Sequence, residues 1–357
     1  MSSIINVISI IITFGIIVSV HEFGHFLFAK LSKIKVNEFA VGMGPKIAGW
    51  KRGDTDYSIR VLPFGGYCMM EGMAEDSDDK NAFSNKSIMA RLMVCFAGPL
   101  FNFILAFFLS IAICHFTYID QPILTDIMEG GAAEAAGFEV GDEIVKLDGK
   151  RIYNYREITL YGMLVDPKTP VDITYLRDGE EHTVTLTRKL DEQTGNYYFG
   201  FISTGRASKG LMDELKYSVY EVRFQVKTVV YSIKMLVTGQ ASKDSLMGPV
   251  GISNTMNTVI EEAKEETKEE TTWVQFMTVL MTIVNFACLL SANLGMMNLL
   301  PIPALDGGRI LFVLIEAIAG RPVPREKENI VTAVGVILLL LLTVFVFFND
   351  LGNVLHG

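Results

Sequence analysis

Cysteine is scarce: Cys68, Cys95, Cys114 and Cys288 are the four in the chain, none forms a CxxC pair, and the last three fall in apolar segments. That excludes a disulfide framework and a cysteine zinc cluster. Basic charge is not in excess either, since 31 Lys and Arg face 40 Asp and Glu, and the net charge of −9 speaks against nucleic acid as a partner. No Lys or Arg precedes the first apolar run, and that run lacks a small-residue cleavage site, so the N-terminus is not read as a signal peptide and is expected to be retained. Histidine is nearly as rare, with five in 357 residues. Apolar residues, by contrast, make up half the chain and raise the mean hydropathy to +0.34, too high for an ordinary soluble protein of this length.

Stretches long enough to cross a bilayer run from Ile4 to Phe28, Leu92 to Tyr118, Trp273 to Leu300 and Ile330 to Phe348. An even number puts both termini on one side of the membrane. The loop after the first stretch is rich in Lys and Arg, from Lys30 to Arg91, and the loop before the last carries Arg321, Arg325 and Lys327, so both are assigned to the cytoplasm. The region between the second and third stretches, and both termini, then face outward. The expected fold is a polytopic α-helical membrane protein with about four transmembrane helices, a small cytoplasmic β-hairpin or sheet and an inserted extracytoplasmic α/β domain. Its expected parts are residues 1–120 (two spans and the cytoplasmic loop), 121–200 (the inserted domain), 201–272 (an amphipathic helix and acidic linker) and 273–357 (the last two spans).

Inside the first apolar stretch lies His21-Glu22-Phe23-Gly24-His25, an H-E-x-x-H pattern. Residues four apart share a helix face, so His21 and His25 can present imidazoles to one metal ion while Glu22 projects toward a water beside it, the arrangement of metalloprotease chemistry. The competing reading is a pair of interfacial histidines marking a helix end, which the cost of His, Glu and His inside an apolar run argues against. Counted back from Lys30, the motif lies about ten ångströms inside the cytoplasmic boundary.

The cytoplasmic loop holds two strand-like stretches, Val36 to Val41 and Tyr57 to Leu62, punctuated by Gly42, Gly44, Pro63, Gly65 and Gly66. They form either an edge that pairs with an extended substrate or a plain structural hairpin. After Glu71, the acidic run from Glu75 to Asp79 is read as solvated loop. In the second span Gly98 is read as a close-packing position and Asn102 as an interhelical hydrogen-bonder, while His115 at its outer end is read as interfacial. Farther on, Glu143 to Gly149 reads as a strand closed by an Asp-Gly turn, Asn154 to Val165 as a helix, and Val171 to Leu176 with His182 to Thr187 as a hairpin around Arg177-Asp178-Gly179. Apolar residues from Leu211 to Leu236 recur at helical spacing with Lys and Arg among them, the pattern of an amphipathic helix lying on the outer membrane surface. The charged run from Glu261 to Glu270 reads as a solvated acidic helix or linker.

A catalytic metal held by two helix residues needs a third ligand from elsewhere. His182 and His356 are assigned to the wrong side of the membrane, and Glu316 to the cytoplasmic interface. Asp306 is better placed, in Pro301-Ile302-Pro303-Ala304-Leu305-Asp306-Gly307-Gly308. Prolines remove helix hydrogen bonds there, and Trp273 to Ala319 is too long for one span, so the backbone is expected to break. Unwound backbone at membrane depth must line a cavity or be buried in protein, which makes this stretch a site wall.

Two resemblances add to this reading. Ala132 to Asp142 closely resembles the segment before the central strand of bacterial PDZ domains, which makes the inserted domain PDZ-like. HEFGH in the first span, Gly98-Pro99 with Asn102 in the second, the PDZ-like insert and NLLPIPALDGG from Asn298 onward together resemble the site-2 protease family of intramembrane zinc metalloproteases, in its bacterial four-span form with one PDZ domain. The resemblance implies Zn2+ held by His21, His25 and Asp306, Glu22 as catalytic base, and Asn293 and Asn298 as residues that hold the substrate backbone. It further implies single-span membrane substrates cut within the transmembrane segment during regulated intramembrane proteolysis, with anti-sigma factors and remnant signal peptides as candidates, in the inner or plasma membrane and in contact with its lipid. Alternatives are a non-enzymatic PDZ membrane scaffold and a membrane zinc protease of the prenyl-processing type.

Overall fold

The computed structural model describes residues 2–356 except 74, 76, 192–194 and 240–247, so Asp76 of the acidic run and part of the segment after residue 237 lie outside the described residues. Contacts divide the chain into two units, residues 1–109 with 229–357 and residues 110–228.

The first unit begins with α1 (Ser2–Leu31), followed by the strands β1 (Val36–Arg52) and β2 (Thr55–Met70) and the helix α2 (Ile88–Phe116). The two strands are far longer than the stretches expected from composition. Gly42, Gly44 and Gly65, read as strand ends, instead take φ values of 85°, 83° and 80° and bend the strands without ending the pairing. Residues 38–41 pair with 66–69 on one side and 56–59 on the other, while 46–52 pair with 55–60. The ribbon therefore folds into a sheet in which residues 66–70 pair on one side only among the described residues. It runs along α1: Lys30 Nζ donates to Thr55 Oγ1 at 2.6 Å, and Pro63 O lies against Gly15, where a side chain would collide with it. Fifteen helical residues and eight extended ones both cover about 22–26 Å, so the two elements stay in step. Phe26 of α1 packs on Phe39 and Tyr57 of the sheet.

The second unit holds β3 (Asp126–Ile127), α3 (Ala132–Ala135), β4 (Glu143–Leu147), β5 (Lys150–Arg151), α4 (Arg156–Leu164), β6 (Val171–Arg177), β7 (Glu180–Leu186), β8 (Lys189–Leu190), β9 (Tyr197–Tyr198) and β10 (Phe201–Ile202). Its main sheet is antiparallel in the order β5-β4-β6-β7. Asp178 and Gly179, at φ 51° and 85°, make the tight turn between β6 and β7. Phe138, Ile144, Leu147, Ile158, Val171, Ile173 and Phe201 form the core.

Next comes α5 (Leu211–Val237), the amphipathic helix expected from spacing, but its buried stripe is polar. Glu214, Ser218, Glu221 and Gln225 are buried, whereas Leu211 and Val219 are 64% and 54% exposed. Partners explain this: His115 and Ser208 serve Glu214, Arg156 and Gln225 serve Glu221, and Arg223 and Lys227 reach back to the fully buried Glu157 of α4. Paired charges tolerate burial, and the apolar face is left outside.

Back in the first unit, α6 (Pro249–Glu266) is more than a solvated acidic stretch. Its acidic end is exposed, but Met256 and Ile260 are fully buried against Ile10, Phe14 and Ile283. Asp350 Oδ1 and Oδ2 accept from Gly248 N and Gly251 N at the start of α6. Then follow α7 (Thr272–Asn298), α8 (Asp306–Ala319) and α9 (Arg325–His356). The expected break is present: helix stops at Asn298 and restarts at Asp306, across Pro301 and Pro303.

Among the described residues, four helical stretches are long and apolar enough to cross a membrane, Ile8–Leu31, Ile88–Phe116, Thr272–Asn298 and Glu326–Asp350. Each lies within a few residues of a stretch read from hydropathy.

Candidate metal centre

α1 and α2 cross closely because each offers a glycine. A Cβ at Gly24 would run into the Ala97 backbone, and one at Gly98 would collide with both the His25 and His21 rings. Gly98 thus lets α2 pass directly under the two imidazoles, the close-packing role read from its place in the second span.

From the other side comes α8. Leu299 and Leu300 continue past α7 in a tight turn, Ala304 takes φ 81°, and Asp306 opens α8. A Cβ at Gly307 would strike the Leu299 and Leu300 carbonyls and one at Gly308 that of Ile302, so the two glycines let α8 fold back onto the broken segment. The sequence places a carboxylate at the first turn of a helix, where the helix dipole favours it, and the fold aims it at α1.

His21 Nε2 lies 3.1 Å from Asp306 Oδ2, His25 Nε2 lies 3.2 Å from the same oxygen, and the two Nε2 atoms are 3.2 Å apart. These residues form a group of metal-binding type, with the two histidines buried and Asp306 half-buried. Tetrahedral ligation at about 2.0–2.1 Å separates neighbouring ligand atoms by about 3.3 Å, close to the triangle seen here. Two imidazole nitrogens and one carboxylate oxygen suit zinc and not the all-oxygen sites of calcium or magnesium. His25 Nδ1 donates to Val94 O at 2.8 Å, which leaves its Nε2 with a lone pair toward the triangle. The Asn102 amide meets His21 Nδ1 at 3.1 Å.

Glu22 stands beside the triangle, within electrostatic reach of His25, His21 and Asp306. A side chain at Gly66 would touch Glu22 as well as the Ala40 carbonyl. The unpaired edge of the sheet, residues 66–70, therefore passes the acid. Burial, with Glu22 close by, pushes the Cys68 thiol above its ordinary range and keeps it protonated.

Asn293 and Asn298 lie on α7, outside the triangle. Asn293 Oδ1 is buried without a hydrogen-bond partner, and Asn298 is the last residue of the helix. Three features escaped sequence reasoning. One is the passage of the sheet edge at Gly66 beside Glu22, which no side-chain pattern records. Another is the identity of one partner: the sequence reads Asn102 as an interhelical hydrogen-bonder, as it is between α2 and α1, but does not name His21 as the residue it meets. The last is the bidentate pair of Arg91 with Glu316, at 2.9 and 2.5 Å, which ties α2 to α8. Glu316 had been placed at the interface with no partner in view.

Comparison with known proteins identifies the family. The pattern of peptidase family M50 matches residues 9–342. A Clostridium acetobutylicum protein classed among the zinc metalloproteases is 35% identical over 348 residues, covering 98% of each chain. Regulator of sigma-W protease RasP of Bacillus subtilis is 29% identical, covering 97% of this chain and 98% of its own. Among solved structures, the PDZ domain of an SdrC-like protein from Listeria innocua aligns with 24% of this chain and 97% of its own, at 19% identity and a TM-score of 0.22. The chain belongs to peptidase family M50, the site-2 protease family, and is a multi-pass membrane zinc metalloprotease.

Proposed function

We propose that this chain hydrolyses a peptide bond within the transmembrane segment of a single-span membrane protein, at a zinc held by His21, His25 and Asp306. The observation that carries the proposal is the triangle of three ligand atoms within 3.2 Å of one another, beside a glutamate, with both histidines and that glutamate in a helix able to cross a membrane. Zinc bound there supplies a Lewis acid that acidifies a water molecule and polarises a carbonyl. Glu22 takes the water's proton and later passes one to the leaving amine.

A helical substrate hides its carbonyls in hydrogen bonds and must be unwound before attack. The free edge at residues 66–70 offers backbone donors and acceptors to such a strand beside Glu22. Asn293, with a buried amide oxygen that has no partner, and Asn298 are assigned to the substrate backbone. Charge asymmetry supports a site near the cytoplasmic face, with the PDZ-like region and both termini outside. Anti-sigma factors and remnant signal peptides are the substrate classes assigned, the first in keeping with the name of the Bacillus subtilis relative.

The PDZ-like region and α5 are assigned to exclude substrates with bulky outer domains, so that an earlier cut outside the membrane comes first. Deleting residues 121–200 and comparing cleavage of intact and trimmed substrates tests this; unchanged selectivity rules it out. The central test is cleavage of a single-span substrate by detergent-purified protein, with and without Glu22→Gln. The proposal requires zinc in both and cleavage in one.

A further inference from the structure

The two ligating histidines are held differently. His25 Nδ1 donates to a backbone carbonyl, Val94 O, which no substitution removes. His21 Nδ1 faces a side chain, the Asn102 amide, at 3.1 Å. Asn102 is itself fully buried and fixed from α7: Ser291 Oγ donates to its backbone carbonyl at 2.8 Å, and Gly295 leaves room for its Cβ.

We infer that Asn102 is a positioning residue for the metal, accepting the His21 Nδ1 proton through its amide oxygen and so keeping the lone pair of His21 on Nε2. The inference rests on His21 being a ligand. Nε2 points at Asp306 and at His25 Nε2, so a cation there requires that nitrogen bare and the ring proton on Nδ1. A ring donor cannot face an amide donor, and the oxygen and nitrogen of an asparagine are interchangeable in position, so the amide presents its oxygen. With its nitrogen toward the ring, Oδ1 is buried without any partner. With its oxygen toward the ring, the amide gives that acceptor the His21 proton. The reverse pairing would put the proton on Nε2, aimed at Asp306, and the site would lose one of its two nitrogen donors. Outer partners of this kind orient the ring and raise its basicity.

The test uses the full chain in detergent, with zinc affinity from competition against a chelator and the absorption spectrum of the cobalt-loaded protein as readouts. Asn102→Leu is expected to weaken zinc binding about 10- to 100-fold and to change the cobalt spectrum. Asn102→Asp, which keeps an acceptor, is expected to bind close to the unsubstituted protein. Ser291→Ala, which removes an α2–α7 hydrogen bond without touching His21, is expected to lower the melting temperature and leave affinity alone. Unchanged affinity in Asn102→Leu overturns the inference, as does an equal loss in Asn102→Asp, which would assign the effect to packing. Should Asn102→Leu not fold, Asn102→Ala set against Asn102→Asp decides in the same way. His21→Ala separates the two levels: undiminished zinc binding there would refute His21 as a ligand, whatever Asn102 does.

Discussion

Gly98→Ala adds one methyl group at the point where α2 passes under the metal ligands. The new Cβ would stand 2.6 Å from His25 Cε1 and 2.8 Å from His21 Cε1, against an ordinary carbon–carbon separation of about 3.5–4.0 Å. Neither ring can step aside without giving up a partner, because Val94 O holds His25 and Asn102 holds His21. Overpacking of a well-packed interior costs about 1–3 kcal/mol. If rotation of the rings away from the triangle relieves it, the same energy appears as about a 5- to 150-fold weaker zinc affinity. Chelator competition measures the affinity, and a melting curve in saturating zinc measures the fold. Gly24→Ala is the control, since its Cβ meets the Ala97 backbone and the Phe101 ring first. Because the clash is with backbone, it should lower stability more than it lowers affinity. Zinc affinity and cleavage at unsubstituted levels in Gly98→Ala would refute the close crossing beneath the ligands.

Other expectations follow from the same contacts. Glu22→Gln should keep zinc and lower cleavage by at least about 10²- to 10⁴-fold, the usual contribution of a positioned base; a single-turnover assay on a single-span substrate reads it. Arg91→Met should lower the melting temperature by leaving Glu316 without its bidentate partner, and the double substitution Arg91→Met with Glu316→Leu should recover part of the loss. In the second unit, hydrogen bonds from Arg206 outweigh burial and, with the Lys209 N–H, hold the Asp213 carboxyl at about 2, below its ordinary 3.8. A depressed carboxyl stabilises the fold fully above its unfolded value and loses that contribution as pH falls from about 3.8 through about 2. Asp213→Asn should therefore melt lower than the unsubstituted protein at pH 7, with the gap closing at pH 2.

Much of this architecture is visible in the sequence because hydropathy and helix breakers act locally. The membrane-length helices, the break across Pro301 and Pro303 and the tight turn at Asp178-Gly179 each follow from residues adjacent in the chain. His21 and His25 are legible for the same reason, being one helical turn apart. Asp306 was legible only by elimination and resemblance, since it comes to the histidines across more than 280 residues of chain. What stayed hidden depends on pairing at long range. Glycines in β1 and β2 look like strand ends until the partner strand shows them to be bends. The amphipathic spacing of α5 is legible, but its buried polar stripe is not, because Arg156 and His115, distant in sequence, supply the partners. The acidic end of α6 hides the apolar start that packs on α1 and α7.

The claim that His21, His25 and Asp306 form one zinc site is tested most directly by metal content after Asp306→Ala. Purified in detergent and dialysed against a weak chelator, the unsubstituted protein should keep one zinc per chain, while Asp306→Ala should lose both the zinc and cleavage of a single-span substrate. If Asp306→Ala kept its zinc and its activity, the third ligand, and the site as described, would be wrong.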